Sequence, residues 1–264
     1  MLLGTSCRCL HLFLLSGKTI KFIVVLLIES TFGYASKFSL NMVLLGEIFP
    51  NFTANSDIGQ IKFHEWIGDS WAILFSHPND FTPVCTTELA RVAKLIPEFE
   101  KRGVKVIALS CNSVNSHIQW IKDIKAYGEI TEKNFPYPII EDESRTIVTA
   151  LGMLDPDEVD STGSPVSARS VFIIDPKKKM RLSILYPATT GRNFDEILRV
   201  IDSLQLTDKH KVATPVDWKN GDDVMIQPTV NDKEAKSLFG DDIKVTNLPS
   251  GKPYLRSIQQ PIDS

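Results

Sequence analysis

A chain of 264 residues has room for one large domain, or for one domain with a small appendage. Its 43% hydrophobic and 23% charged residues are the balance of a globular protein, and a net charge of −3 supplies no basic field for nucleic acid. The four cysteines, Cys7, Cys9, Cys85 and Cys111, are too few for a disulfide framework and suit a reducing compartment. No Cys/His grouping has zinc-site spacing.

The first 46 residues read differently from the rest. Arg8, Lys18 and Lys21 are basic, and no acid precedes Glu29. Leu10–Leu15 and Phe22–Ile28 are largely apolar, but Ser16, Gly17, Lys18 and Lys21 separate them. Neither reaches the roughly 18 to 20 residues of a membrane span. Three readings stay open. Phe22–Ile28 with Tyr34-Ala35-Ser36 could serve a signal peptide, and the basic, acid-poor start could serve a mitochondrial presequence. The preferred reading makes residues 1–42 an optional extension. Met42 then opens the functional chain, and Val43–Gly46 forms the first strand. Asn51-Phe52-Thr53 is a glycosylation sequon, which matters only in a secreted chain.

Ile61–Trp66 alternates and reaches Gly68, a short strand and turn. Trp71–Phe75 is a continuous apolar run, as in a strand buried on both faces. From Cys85 to Lys101, Leu89, Val92, Leu95, Ile96 and Phe99 recur at helical spacing, and Pro97 should kink or split that helix. Val104–Ser110 is a second buried-type strand, and Ser116–Tyr127 a second helix. A short strand at Pro138–Ile140 and a short helix at Ser144–Leu151, ended by Gly152, follow. Ser170–Ile174 and Met180–Tyr186 read as a hairpin whose turn holds Asp175-Pro176 and Lys177-Lys178-Lys179. Asn193–Leu204 is amphipathic. Alternating strands and helices imply an α/β sheet covered on both faces. Val212–Ser264 is proline-rich, with two short strand candidates and one helix near Glu234–Phe239. It holds too few apolar residues for a core of its own and reads as an appendage.

The chemistry centres on Ser76-His77-Pro78-Asn79-Asp80-Phe81-Thr82-Pro83-Val84-Cys85-Thr86-Thr87-Glu88. A cysteine in a first helical turn meets unpaired N–H groups and the positive end of the helix dipole, and both favour the thiolate nucleophile. Pro83 suits a helix start, and Thr82 can donate to the sulfur or to an oxygen beside it. Taken alone, an unpaired cysteine here reads equally well as a buried structural residue.

The run Pro78-x-x-x-Thr82-x-x-Cys85 resembles the peroxiredoxin signature, and Ser76–Leu89 resembles the one-cysteine (peroxiredoxin-six) subfamily. The resemblance extends through Tyr186–Asn193 and Pro215-Val216-Asp217-Trp218, covering about residues 43 to 260. It implies a thioredoxin-like fold, a mixed sheet with helices on both faces, over residues 43–206. A small C-terminal peroxiredoxin domain would occupy 207–264. It implies Cys85 as the peroxidatic cysteine, Thr82 and the backbone at Cys85 as holders of the peroxide, and Pro78 as a shield for the sulfenic acid. Arg169 matches the family's active-site arginine; by sequence alone it reads as a surface residue. His77 is either near the pocket or simply hydrogen-bonded, and Glu88 either orients the loop or favours the helix start.

The implied reaction reduces hydrogen peroxide and organic hydroperoxides and converts Cys85 to a sulfenic acid. No cysteine follows Cys111, so a C-terminal resolving partner is absent and an external thiol must restore Cys85. The subfamily implies glutathione with a glutathione transferase and a homodimer; no bound cofactor or metal is expected, and the cysteine use suits a cytoplasmic setting. A mitochondrial or secretory setting applies if residues 1–41 target the chain. A disulfide reductase would need a second cysteine where Glu88 stands. A binding module without thiol chemistry would consume no peroxide. Some subfamily members resemble phospholipases. Gly68-Asp69-Ser70-Trp71-Ala72 lacks the final glycine of G-x-S-x-G, His64 matches the histidine, and Lys177 occupies the aspartate position. Asp175 is the alternative carboxylate, and the expectation is weak or absent hydrolysis.

Overall fold

The computed structural model of the protein describes residues 43–262. The extension at residues 1–42 lies outside them. The strand expected at Val43–Gly46 is a turn instead. Gly46 takes φ 86° and donates its N–H to Met180 O, while Glu47 accepts from Leu44 N, so the backbone folds back. Only Ile48 pairs, in a single bridge to Lys179.

A hairpin follows, β1 (Thr53–Ser56) and β2 (Gly59–Lys62). The expected strand Ile61–Trp66 stops at Lys62, and Phe63–Ile67 coil into a short helix, α1. One helical turn separates Phe63 from Ile67, which lets both enter the core. Next come β3 (Trp71–Ser76), α2 (Pro83–Lys101), β4 (Val104–Ser110), α3 (Val114–Gly128) and β5 (Ile139–Glu141). The pairs β3–β4 and β4–β5 are parallel, each joined by a helical crossover. Pro97 does not divide α2. It lies on the exposed side, and buried Phe99 holds the last turn in the core.

The helix α4 (Thr146–Ala150) ends near Gly152 at φ 64°. A hairpin not foreseen from the sequence comes next, β6 (Leu154–Val159) and β7 (Pro165–Ser167). Its Asp155-Pro156-Asp157-Glu158 stretch hides any apolar alternation. The hairpin of β8 (Arg169–Ile174) and β9 (Met180–Tyr186) forms with the lysines in its turn. The helix α5 (Phe194–Lys209) runs beyond Leu204 and is capped by Asn193.

The mixed seven-stranded sheet has the order β2-β1-β5-β4-β3-β8-β9. Alternation along β3 sends Ile73 and Phe75 to one face, Ala72 and Leu74 to the other. The first face packs under α2, α3 and α5 through Leu89, Phe99, Trp120 and Ile201. The second packs under α1 and α4 through Phe63, Ile67, Ile147 and Val148. Helices on both faces of this sheet make a thioredoxin-like fold.

Beyond α5 lie β10 (Val212–Ala213), β11 (Val224–Ile226), α6 (Asp232–Phe239), β12 (Lys244–Val245) and β13 (Arg256–Ile258). They build a separate four-stranded sheet, β10-β11-β13-β12. The expectation that this region lacks a core is corrected. Val212, Trp218, Val224, Ile226, Val230, Ala235 and Ile258 form a buried cluster, joined by Leu206 of α5. One fully buried tryptophan replaces several smaller apolar residues, which composition alone does not reveal. No helix among the described residues is long and apolar enough to cross a membrane.

Candidate active site

The site grows from the connection between β3 and α2. Thr82 is the N-cap of α2 with extended backbone, and Pro83 opens the helix, where its missing N–H costs nothing. Cys85 is therefore in the first turn, and its side chain is fully buried. Pro78 is buried in the same loop. Phe81 adopts φ 54° there, an unusual conformation for a bulky residue, so its surroundings must hold it.

Strand β8 runs antiparallel beside β3. Val171 and Ile173 share the apolar cluster of Cys85, and strand alternation puts Arg169 on that same face. Its Nη1 lies 3.3 Å from Cys85 Sγ and donates to Glu88 Oε2 at 2.7 Å. Its Nε and Nη2 donate to Ala188 O at 2.9 and 2.7 Å. The surface reading of Arg169 fails, because the residue is only 3% exposed.

Glu88 joins two arginines. Its Oε1 accepts from Arg192 N and Nε at 2.7 and 3.0 Å, and its Oε2 from Arg192 Nη2 at 2.7 Å. Arg192 Nη1 also donates to Ser76 O and Ser170 O. Its guanidinium lies 5.1 and 5.7 Å from the Phe75 and Phe194 rings. Burial raises the Glu88 pKa, but Arg192 and then Arg169 outweigh it and hold the carboxyl below its ordinary value. Two buried guanidiniums thus face one carboxylate. The Arg169 guanidinium that shares this carboxylate also borders the Cys85 sulfur. The sequence singled out Arg169 and Glu88 but missed Arg192, which nothing local marks as buried.

Thr82 departs from expectation in this structure. Its hydroxyl donates to Asn79 O at 2.8 Å rather than to the sulfur. Its carbonyl accepts from Thr86 N and Oγ1 at 3.0 and 2.8 Å, which closes the first turn. The hydroxyl oxygen keeps lone pairs for an incoming O–H.

His77 is buried, and its Nε2 donates to Asp80 Oδ1 at 2.8 Å. Burial lowers the His77 pKa despite Asp80. The Asp80 carboxylate is well below its usual range, because bonds from His117 and His77 overcome the burial that opposes them.

Cys111 follows β4 and belongs to the opposite apolar cluster from Cys85. Burial pushes its thiol up to about 11. Among the described residues no hydrogen bond joins the hydrolase candidates to one another. His64 Nε2 contacts Phe49 O at 2.8 Å. Ser70 N donates to Ile67 O in the turn before β3. Asp175 accepts from Lys179 N and, at 3.4 Å, from Arg181. Among the described residues no group of three or more His, Cys, Asp or Glu is arranged to hold a metal.

A buried thiol at a helix start under a guanidinium, on a thioredoxin-like sheet, is an environment suited to a nucleophilic cysteine. The AhpC/TSA family model matches residues 45–183, and the model for the C-terminal domain of 1-Cys peroxiredoxin matches residues 203–241. The chain belongs to the AhpC/TSA family as a one-cysteine peroxiredoxin, an antioxidant peroxidase. Its similarity is to peroxiredoxin-6 in particular. The Bos taurus and Homo sapiens proteins of that name are 63% and 62% identical over 220 and 221 residues, 83% of this chain and 98% of each relative. A cysteine-to-serine variant of peroxiredoxin 6 from Arenicola marina is 59% identical, with a TM-score of 0.82 over 84% of this chain and all of its own. A yeast mitochondrial 1-Cys peroxiredoxin is 49% identical, with a TM-score of 0.75 over 83% of this chain and 100% of its own.

Proposed function

We propose that Cys85 is the peroxidatic residue and that it reduces hydrogen peroxide and organic hydroperoxides. The observation that carries this reading is the 3.3 Å approach of Arg169 Nη1 to the buried Cys85 Sγ at the start of α2. The thiolate attacks the terminal peroxide oxygen and the O–O bond breaks. The bonding pair leaves on the other oxygen, which takes a proton from solvent and departs as water or alcohol. Cys85 becomes a sulfenic acid. The excess positive charge of Arg169 and Arg192 over Glu88 stabilises first the thiolate and then the leaving oxygen. Thr82 accepts from the peroxide O–H, and buried Pro78 keeps water from the sulfenic acid.

An external thiol restores the enzyme. One thiol displaces water from the sulfenic acid to give a mixed disulfide, and a second releases Cys85. Glutathione is the proposed reductant, delivered by a glutathione transferase. The yeast mitochondrial relative, whose resolution is described as proceeding via glutathione/thioredoxin systems, supports the thiol class. A homodimer is proposed on β9, an edge strand whose Leu185 is 66% exposed, and light scattering checks it. We assign the enzyme to the cytoplasm on its free Cys85 and Cys111, with mitochondrial or secretory delivery if residues 1–41 target it. Cell fractionation decides between these. Lipid hydrolysis through Ser70 and His64 is a minor or absent activity in this reading.

The decisive experiment is peroxide consumption with glutathione as reductant. Cys85→Ser abolishes it, and Cys111→Ser retains most of it. Substantial turnover by Cys85→Ser overturns the assignment.

A further inference from the structure

The loop that carries the reactive sulfur is tied down by one side chain. Asp80 lies five residues before Cys85, and its side chain is 1% exposed. Its Oδ1 accepts from His77 Nε2 at 2.8 Å. Its Oδ2 accepts from His117 Nδ1 at 2.8 Å and from Ser116 Oγ at 2.7 Å. Its backbone N–H donates to Asn112 Oδ1 at 3.0 Å. Ser116 and His117 belong to the first turn of α3, and Asn112 to the connection after β4. Both nitrogens of His117 face acceptors, since Nε2 meets Ile140 O on β5 at 3.2 Å. His117 therefore bridges the loop to the sheet when it carries both hydrogens.

None of these bonds reaches Cys85, Arg169 or Glu88. Asp80 does sit between Asn79, whose carbonyl takes the Thr82 hydroxyl, and Phe81, whose backbone is left-handed. A strained backbone persists only where its surroundings over-determine it. Displacing Asp80 would move Asn79 O, Thr82 and the first turn of α2 together.

We propose that Asp80 is the positioning residue of this peroxidase: held by His77, His117 and Ser116, it fixes the 78–82 loop so that Thr82 and Cys85 meet the peroxide in reactive geometry. The proposal rests on the assignment of Cys85 as the reacting sulfur. It predicts a split between two reactions of one thiol. Attack on peroxide needs the geometry of the pocket, whereas alkylation by iodoacetamide needs a thiolate and access to the buried sulfur but no alignment with Thr82.

The test measures both rates at Cys85 in the full chain, peroxide by stopped flow and alkylation by mass mapping. In Asp80→Asn the peroxide rate constant should fall about 10-fold or more while alkylation changes less than about 3-fold, as for a misplaced catalytic group. His117→Ala should behave alike. His117→Asn, whose amide nitrogen can replace Nδ1 as donor, should recover most of the peroxide rate. Should Asp80→Asn fail to fold, Ser116→Ala and the two His117 variants carry the same comparison. A wild-type peroxide rate in Asp80→Asn overturns the proposal, and so does an equal loss of both rates. Turnover by Cys85→Ser instead overturns the underlying assignment.

Discussion

Glu88 shows how one carboxylate can set both stability and reactivity. It lies three residues after Cys85 and accepts from two buried arginines. Glu88→Gln keeps the shape but removes the carboxylate that both guanidiniums share, and breaking a buried ion pair costs on the order of 3–5 kcal/mol. We expect a melting temperature lower by about 10 °C for a domain of this size, together with slower peroxide reduction as Arg169 loses its anchor. Thermal denaturation and stopped flow check this; an unchanged melting temperature would refute it. The folded Glu88 pKa is depressed, so its stabilisation is complete above the ordinary value of 4.5 and is lost as pH falls through the lower folded value. The stability gap between wild type and Glu88→Gln should therefore narrow below about pH 4.

Among the elements, the turn from α1 to β3 decides the fate of the hydrolase pattern. A nucleophile elbow follows a strand and precedes a helix, whereas Ser70 follows a helix and precedes a strand. His64 faces Phe49 O, and Asp175 is occupied by its own turn and by Arg181. Lys178 adds an ammonium on Gly68 O, within two residues of Ser70. We expect phospholipid hydrolysis to be weak and unchanged in Ser70→Ala and Asp175→Ala. Robust hydrolysis that disappears in Ser70→Ala would show that a triad assembles. The same segment shows what local pattern conveys. Ile61–Trp66 alternates like a strand, but burial of Phe63 and Ile67 on one side turns it into a helix after Lys62. Long helices such as α2 are legible because Leu89, Val92, Leu95 and Phe99 repeat over several turns. Strands of two or three residues, such as β10 to β13, offer no period to read.

Across the whole molecule, the sheet separates the two described thiols. Cys85 packs with the cluster under α2, α3 and α5, and Cys111 with the cluster on the other face. A bond between them would require the chain around one of them to unfold. One equivalent of peroxide should give a trappable sulfenic acid at Cys85 and no Cys85–Cys111 disulfide as the main product. Non-reducing mass mapping that finds this disulfide in most molecules would overturn the one-cysteine mechanism. The raised pKa of Cys111 points the same way, because a thiol held near 11 supplies little thiolate at neutral pH.

By itself the sequence determined the alternating α/β order and the helix start at Pro83, which puts Cys85 in a first turn. These follow from the spacing of apolar residues and from backbone chemistry within a few positions. Arg169 was reached only through resemblance, since an arginine beside a strand has no local mark of burial. The tertiary structure alone decided that Arg192 joins Glu88, that Asp80 meets His117 across 37 residues, and that the C-terminal segment closes a core around Trp218. Each is a contact between segments far apart in the chain. Whether a polar residue there is exposed or buried depends on partners that only the packed sheet brings within reach.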